Sequence, residues 1–202
     1  MRAVESFLES PEGTREEIMR ATYLALCTHG YADLTVQRIG EEFPKSKSLI
    51  YHHYDGKDDL LLDFLSFMLD RFRTAMPFPD AAGPREHLEA ILDYVLATPL
   101  PEDRREFTRA MVQLRAQATH DEDYRAHFTR HDRFVVDSLE AIIDRGVAAG
   151  HFRPVDAEAV AAFLLVTFNG SMLQQVTSEP TSGSAVRDEL DAYLQAVLLA
   201  DD

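Results

Sequence analysis

Lysine is nearly missing from this chain, cysteine occurs once and tryptophan not at all. The lone Cys27 excludes an internal disulfide and any cysteine-based zinc site, and it sits in an apolar helical pattern as a small core residue. No uninterrupted apolar run approaches the roughly 20 residues that span a bilayer. The opening Met1-Arg2-Ala3-Val4-Glu5-Ser6-Phe7-Leu8-Glu9 lacks a signal peptide's apolar stretch, so the protein is expected in the cytoplasm. No β-branched alternation is long enough for a convincing strand. Gly-rich phosphate loops, a Gly-x-Ser-x-Gly elbow and a His-Glu-x-x-His pair are all absent, and no paired carboxylate stands out. An enzyme therefore has little support, and no cofactor is expected.

What the chain does have is acid. Asp and Glu number 35 against 20 Lys plus Arg, for a formal net charge of -15 over 202 residues. Both segments are negative: residues 1–60 carry 11 acids and 7 bases, residues 61–202 carry 24 and 13. A dispersed acidic surface almost without lysine resembles proteins of salt-accumulating organisms. There a hydrated, like-charged surface keeps the protein soluble while salt screens repulsion to about 3 Å at 1 M. An ordinary acidic protein is the alternative.

Against that background all three lysines, Lys45, Lys47 and Lys57, fall in one 13-residue window that also holds Ser46, Ser48, Tyr51, His52, His53 and Tyr54. Phosphates attract ammonium groups, while Ser, Tyr and His supply hydrogen bonds to backbone and base edges. Charge alone would equally suit a solvated helix face. The neighbouring residues decide between the two.

Residues 1–13 read as a polar leader with Pro11 and Gly13. Thr14 and Glu17 have the spacing of a capping box, Ile18, Ala21, Thr22, Ala25 and Leu26 recur at helical spacing, and Gly30 has the place of a C-terminal glycine. Thr35 caps a short helix of about 36–42, Pro44 interrupts, and Ser46 caps another running to about His53. After Asp55-Gly56, Lys57 begins a long helix faced by Leu60, Leu61, Phe64, Leu65, Phe67, Met68, Leu69 and Phe72. Met76-Pro77-Phe78-Pro79 and Gly83-Pro84 punctuate, and helices follow at about 85–97, 102–118, 121–149, 156–177 and 185–200. The expected fold class is all-α: a small three-helix domain over 1–60, then a larger helical bundle over 61–202.

Two short helices joined by a tight break, the second bearing Lys, Ser, Tyr and His, form a helix-turn-helix pattern. Val36, Ile39 and Ile50 can close a small core with the first helix, which leaves Lys47, Ser48, Leu49, Tyr51 and His52 or His53 on or beside the outward face. From Thr14 to about Leu61 the sequence resembles the tetracycline-repressor (TetR) family. The likeness rests on Thr14-Arg15, Ile18, Ala21, Gly30-Tyr31, Leu34-Thr35-Val36, Ile39 and Ser46-Lys47. It rests above all on Ile50-Tyr51-His52-His53-Tyr54 followed by Lys57-Asp58-Asp59-Leu60-Leu61. Pro44 stands where the family usually has glycine, Lys45 where it has an apolar residue, and Ser48-Leu49 where it has small residues or Thr. The turn is therefore rebuilt, and the operator does not carry over.

The resemblance implies a ligand-responsive transcriptional regulator, most simply a repressor. It would bind double-stranded DNA as a homodimer and be released by a small, partly apolar effector. DNA contacts implied by matching positions are Thr35, Gln37, Ser46, Lys47, Ser48, Leu49, Tyr51, His52, His53 and Lys57. Lys57, Tyr51 and Thr35 suit phosphates; Gln37, Lys47 and Ser48 suit base edges; Leu49 suits a thymine methyl. Packing is the other reading of Tyr51 and Tyr54. The dimer would form through about 156–177 and 185–200, with Asn169-Gly170 allowing close approach. From about 105 to 175 there is a fainter similarity to the branch regulating choline–betaine metabolism.

An aromatic and Met-rich set, Phe64, Phe67, Met68, Phe72, Phe107, Met111, Phe128 and Phe168, with Met76 and Phe163, can line an apolar pocket or simply pack helices. His127 and His131 are spaced for a helical metal site with His120 or His87, though a polar helix face is the simpler reading and no metal is expected. Two other classes stand beside the regulator: a helical sensor or adaptor without DNA binding, and a metal-dependent helical enzyme using that histidine pair.

Overall fold

The computed structural model describes residues 9–75, 83–97, 99–179 and 183–200. Most of the leader, the 76–79 punctuation with Met76, and the side chain of Phe72 lie outside them. The helices in order are α1 (Gly13–Asp33), α2 (Val36–Glu42), α3 (Ser48–His53), α4 (Lys57–Ala75), α5 (Pro84–Val95), α6 (Glu102–Gln117), α7 (Glu122–Ala148), α8 (Ala157–Thr177) and α9 (Gly183–Val197). The described residues contain no strand beyond an isolated bridge between Phe152 and Leu199. All-α is the observed class.

Two compact units emerge: Met1–Met76 with Glu106–Phe128, and Pro77–Arg105 with Thr129–Asp202. In the first, α1 supplies Ile18, Ala21, Ala25 and Leu26, α2 supplies Ile39, α3 supplies Ile50, and α4 supplies Leu60, Leu61, Phe64 and Leu65. Met111 and Leu114 of α6, with Tyr124 and Phe128 of α7, complete that core. In the second, Leu88, Ile91 and Leu92 of α5 join Leu139, Ile142 and Ile143 of α7, Val160, Ala161, Leu164 and Phe168 of α8, and Leu190 and Leu194 of α9.

Several helix ends differ from expectation. Thr14 and Glu17 do not form a capping box. Glu12 is the N-cap residue, its N–H donates to Glu16 Oε2 at 2.8 Å, and Thr14 and Glu17 both turn to Lys45. A local motif lost to a tertiary partner. Gly30 does take a left-handed φ of 69°, but it kinks α1 and the helix resumes to Asp33. The Tyr31 N–H there donates to Gln113 Oε1 of α6 at 3.1 Å, so a side chain replaces the missing helical acceptor. Thr35 caps α2 as expected, accepting from the Arg38 N–H at 3.2 Å. Ser46 begins the turn into α3, but the helix itself opens two residues later at Ser48.

α8 is long and apolar enough to cross a membrane by length and composition alone. It holds no uninterrupted apolar run of that length, because Asn169, Gly170, Ser171 and Gln174 break it while adding no charge.

Candidate nucleic-acid interface

The first unit presents α3 with one face in and one face out. Ile50 is fully buried and Leu49 packs partly against the core, while Lys47, Ser48, Tyr51, His52 and His53 are exposed. Tyr51 is 58% exposed, a large aromatic side chain left mostly in solvent. Ser46 Oγ lies 2.9 Å from Ser48 Oγ, so two hydroxyls meet ahead of the helix's first turn. Gly40 permits the close approach of α2 to this turn: a Cβ there would lie 2.9 Å from Lys47 Cβ. Thr35 and Gln37 are exposed on α2's side and border a shallow depression with Ala32, Asp33, Arg38 and Glu41.

The cations are not equally available. Lys57 Nζ donates to Tyr31 O at 2.8 Å and stands 4.1 Å from the Tyr31 ring centroid. Arg38 donates to Asp33 O. Both thus cap the carbonyl end of α1, where the helix dipole is negative. Lys45 is ion-paired with Glu17 and donates to Thr14 Oγ1 at 3.2 Å. Only Lys47 among these has no hydrogen-bond or ion-pair partner among the described residues. Exposed Asp33, Glu41, Glu42, Asp55, Asp58 and Asp59 surround the face.

Tyr54 leaves this face. Its hydroxyl donates to Asp63 Oδ2 at 2.6 Å, and Arg15 forks onto the same carboxylate at 3.1 and 2.5 Å. Burial raises the Tyr54 hydroxyl well above its ordinary value, and Asp63 raises it further. Burial pushes Asp63 upward too, but hydrogen bonds from Arg15 and Tyr54 outweigh it and leave the carboxyl below the usual range. Sequence reasoning missed this cluster, because nothing in the spacing of Arg15, Tyr54 and Asp63 marks it. It missed Glu17 as the partner of Lys45 as well.

Of the aromatic and Met-rich set, Phe64, Phe67, Met68, Met111 and Phe128 are buried together in the first unit's core, with Phe107 packed against it. Phe168 belongs to the core of the second unit, and Phe163 is exposed. Phe67 is flanked by the guanidinium groups of Arg15 and Arg71, at 5.3 and 4.7 Å from its centroid, and Arg115 stands 4.5 Å from that of Phe128. No group of three or more His, Cys, Asp or Glu side chains suited to a metal occurs among the described residues. His87 is buried with Nδ1 3.3 Å from Arg145, and Cys27 is half-buried with its thiol raised to about 11 by burial.

Comparison with known proteins places this architecture. The family model "Bacterial regulatory proteins, tetR family" matches residues 18–64, and "BetI-type transcriptional repressor, C-terminal" matches residues 84–199. A crystal structure of a TetR transcription regulator from Haloarcula marismortui is 37% identical, covers 91% of this chain and 97% of its own, and superposes with a TM-score of 0.83. A putative transcriptional regulator from Saccharomonospora viridis, solved in complex with choline, shares the fold at 21% identity, with coverage of 93% and 98% and a TM-score of 0.77. The HTH-type transcriptional repressor AcnR of Corynebacterium glutamicum is 25% identical over 181 residues, covering 87% of this chain and 88% of its own. A regulator rather than an enzyme follows from these matches. The chain belongs to the TetR family of transcriptional regulators.

Proposed function

We propose that this regulator is a repressor that binds a palindromic operator as a homodimer and leaves it when a small, partly apolar effector binds. The observation that carries the reading is α3: Ile50 anchors it while Lys47, Ser48, Tyr51 and His52 point outward from a buried core. That is the side-chain set a helix needs in a major groove. In this reading residues 1–60 form the DNA-reading module. Lys47, Ser48 and Gln37 face base edges, Tyr51, Thr35, Ser46 and the histidines serve the backbone, and Leu49 offers its exposed edge to a methyl. Lys57 spends one of its three N–H donors on Tyr31 O and keeps the others for a phosphate.

Residues 61–202 then hold the effector and the dimer seam. Relatives named as repressors support repression, and the choline-bound relative supports a small-molecule effector. Residues 156–177 and 185–200 supply the seam, since Phe163, Val166 and Leu173 of α8 and Val197 of α9 are exposed apolar side chains. A second copy covering them removes the need for a membrane, and work on chromosomal DNA is consistent with a cytoplasmic protein. The acid-rich, lysine-poor surface supports a cell interior of high salt.

Selection from a random DNA pool tests the reading and identifies the operator. Gel shifts on the selected site should show tight binding by the natural chain and a loss of about 100-fold with Lys47→Ala plus Tyr51→Ala, from two contacts worth about 1–3 kcal/mol each. Equal binding by both chains would sink the assignment of α3.

A further inference from the structure

The lysine just ahead of the recognition helix is engaged inside the protein. Lys45 stands in the α2–α3 connection, one residue before Ser46, whose hydroxyl accepts the Ser48 N–H at the start of α3. A phosphate approaching that first turn would meet an ammonium group here. The ammonium group already has an anion: Glu17 of α1, with Thr14 Oγ1 as second acceptor. The Glu17 side chain is 20% exposed and that of Lys45 45%, so the pair opens to solvent on the lysine side. Lys57 and Arg38 are also engaged, but by the neutral carbonyls of Tyr31 and Asp33, which leave their charge intact. Of the four cations on this face, Lys45 is the one cancelled by a formal charge.

We propose that Glu17 competes with DNA phosphate for Lys45 and so acts as a built-in brake on operator affinity. The inference rests on the DNA-binding reading above. Moving Lys45 onto a phosphate exchanges one anion for another and strands a mostly buried carboxylate, which costs about what the new contact returns. The natural chain therefore binds DNA as though Lys45 were absent. Its salt dependence is shallower by one phosphate per protomer than the lysine count suggests. Removing the charge of Glu17 releases the brake.

The test is operator affinity from 0.1 to 2 M KCl for the natural chain, Glu17→Gln, Lys45→Met and the double variant, on the pool-selected site. Lys45→Met alone should leave the slope unchanged, since no phosphate contact is lost, and should bind no more tightly than the natural chain because the Glu17 carboxylate is stranded. Glu17→Gln should steepen log K against log salt by about 0.9 per protomer, which is about eightfold per protomer at 0.1 M relative to 1 M. The double variant should lose that gain. An unchanged slope in a folded Glu17→Gln would overturn the proposal, as would a Lys45→Met loss of slope equally large with and without Glu17. If Glu17→Gln fails to fold, the double variant, which removes both charges of the pair, still decides: a slope shallower than the natural chain's means Lys45 already serves DNA. A natural chain that selects no DNA sequence would remove the DNA-binding reading, and this inference with it. Binding with unaltered slopes would remove the inference alone.

Discussion

Asp63 holds three pieces of the first unit with one carboxylate. It receives the Arg15 guanidinium from α1 and the hydroxyl of Tyr54, the residue that ends α3, while itself belonging to α4. Its pKa is depressed in the folded chain, so its contribution is present above the unfolded value of about 3.9 and is lost as pH falls through the folded one. The gap in stability between the natural chain and Asp63→Asn should therefore be widest above about pH 5 and narrow progressively as the pH falls below about 3.9. Urea unfolding at a series of pH values checks it, and a gap that does not narrow toward acid would mean the asparagine is resented for its shape. The carboxylate is partly open to water, so the gap is expected to be modest.

At the scale of single elements, some features were legible and others were not, for physical reasons. Thr35 was readable as a cap because its partner, the Arg38 N–H, is three residues away. The apolar spacing of Ile18, Ala21, Ala25 and Leu26, and the inward face of Ile39 and Ile50, were readable because helical period alone sets them. Thr14 and Glu17 were misread because the partner that takes them, Lys45, is some 30 residues away. The acceptor Gln113 for the kink at Gly30 was beyond reach for the same reason. The pair of short helices α2 and α3 is a local pattern and could be found. Which of its cations is free depends on tertiary contacts and could not.

Gly146 shows the same limit. Nothing in its sequence context marks it, yet a Cβ there would overlap the Phe152 ring, and Phe152 is buried in the second unit's core. The ring seats directly on α7, and its loop is then clipped to the end of α9. Arg153 N–H donates to Leu198 O at 2.7 Å, Ala200 N–H to His151 O at 3.1 Å, and the Arg153 guanidinium to Ala196 O at 2.6 Å. Gly146→Ala should cost about 1–3 kcal/mol, the usual range for overpacking, with thermal unfolding as the readout. A melting point unchanged within error would mean the ring has somewhere else to go.

For the whole molecule the informative surface is the outward stripe of α8. Phe163, Val166 and Leu173 are exposed, Val166 by 71%, and Gly170 lies between them with open space where a Cβ would be. Ala159, Phe163, Val166, Gly170 and Leu173 follow spacings of four and three, the repeat of a seam between helices. In the proposed dimer, Gly170→Glu should place a charge in the seam, so that light scattering at micromolar concentration shows a dimer for the natural chain and a monomer for the variant. A dimer that survives the change would put the contact elsewhere.

Pairing of two copies through this stripe, as proposed, would tie function to dose. If the operator needs two recognition helices, the DNA-competent form grows with the square of protomer concentration while protomers are scarce. A cell that halves the amount of this chain would then lose about three quarters of its paired form. Occupancy of the operator would fall off more like a threshold than in proportion.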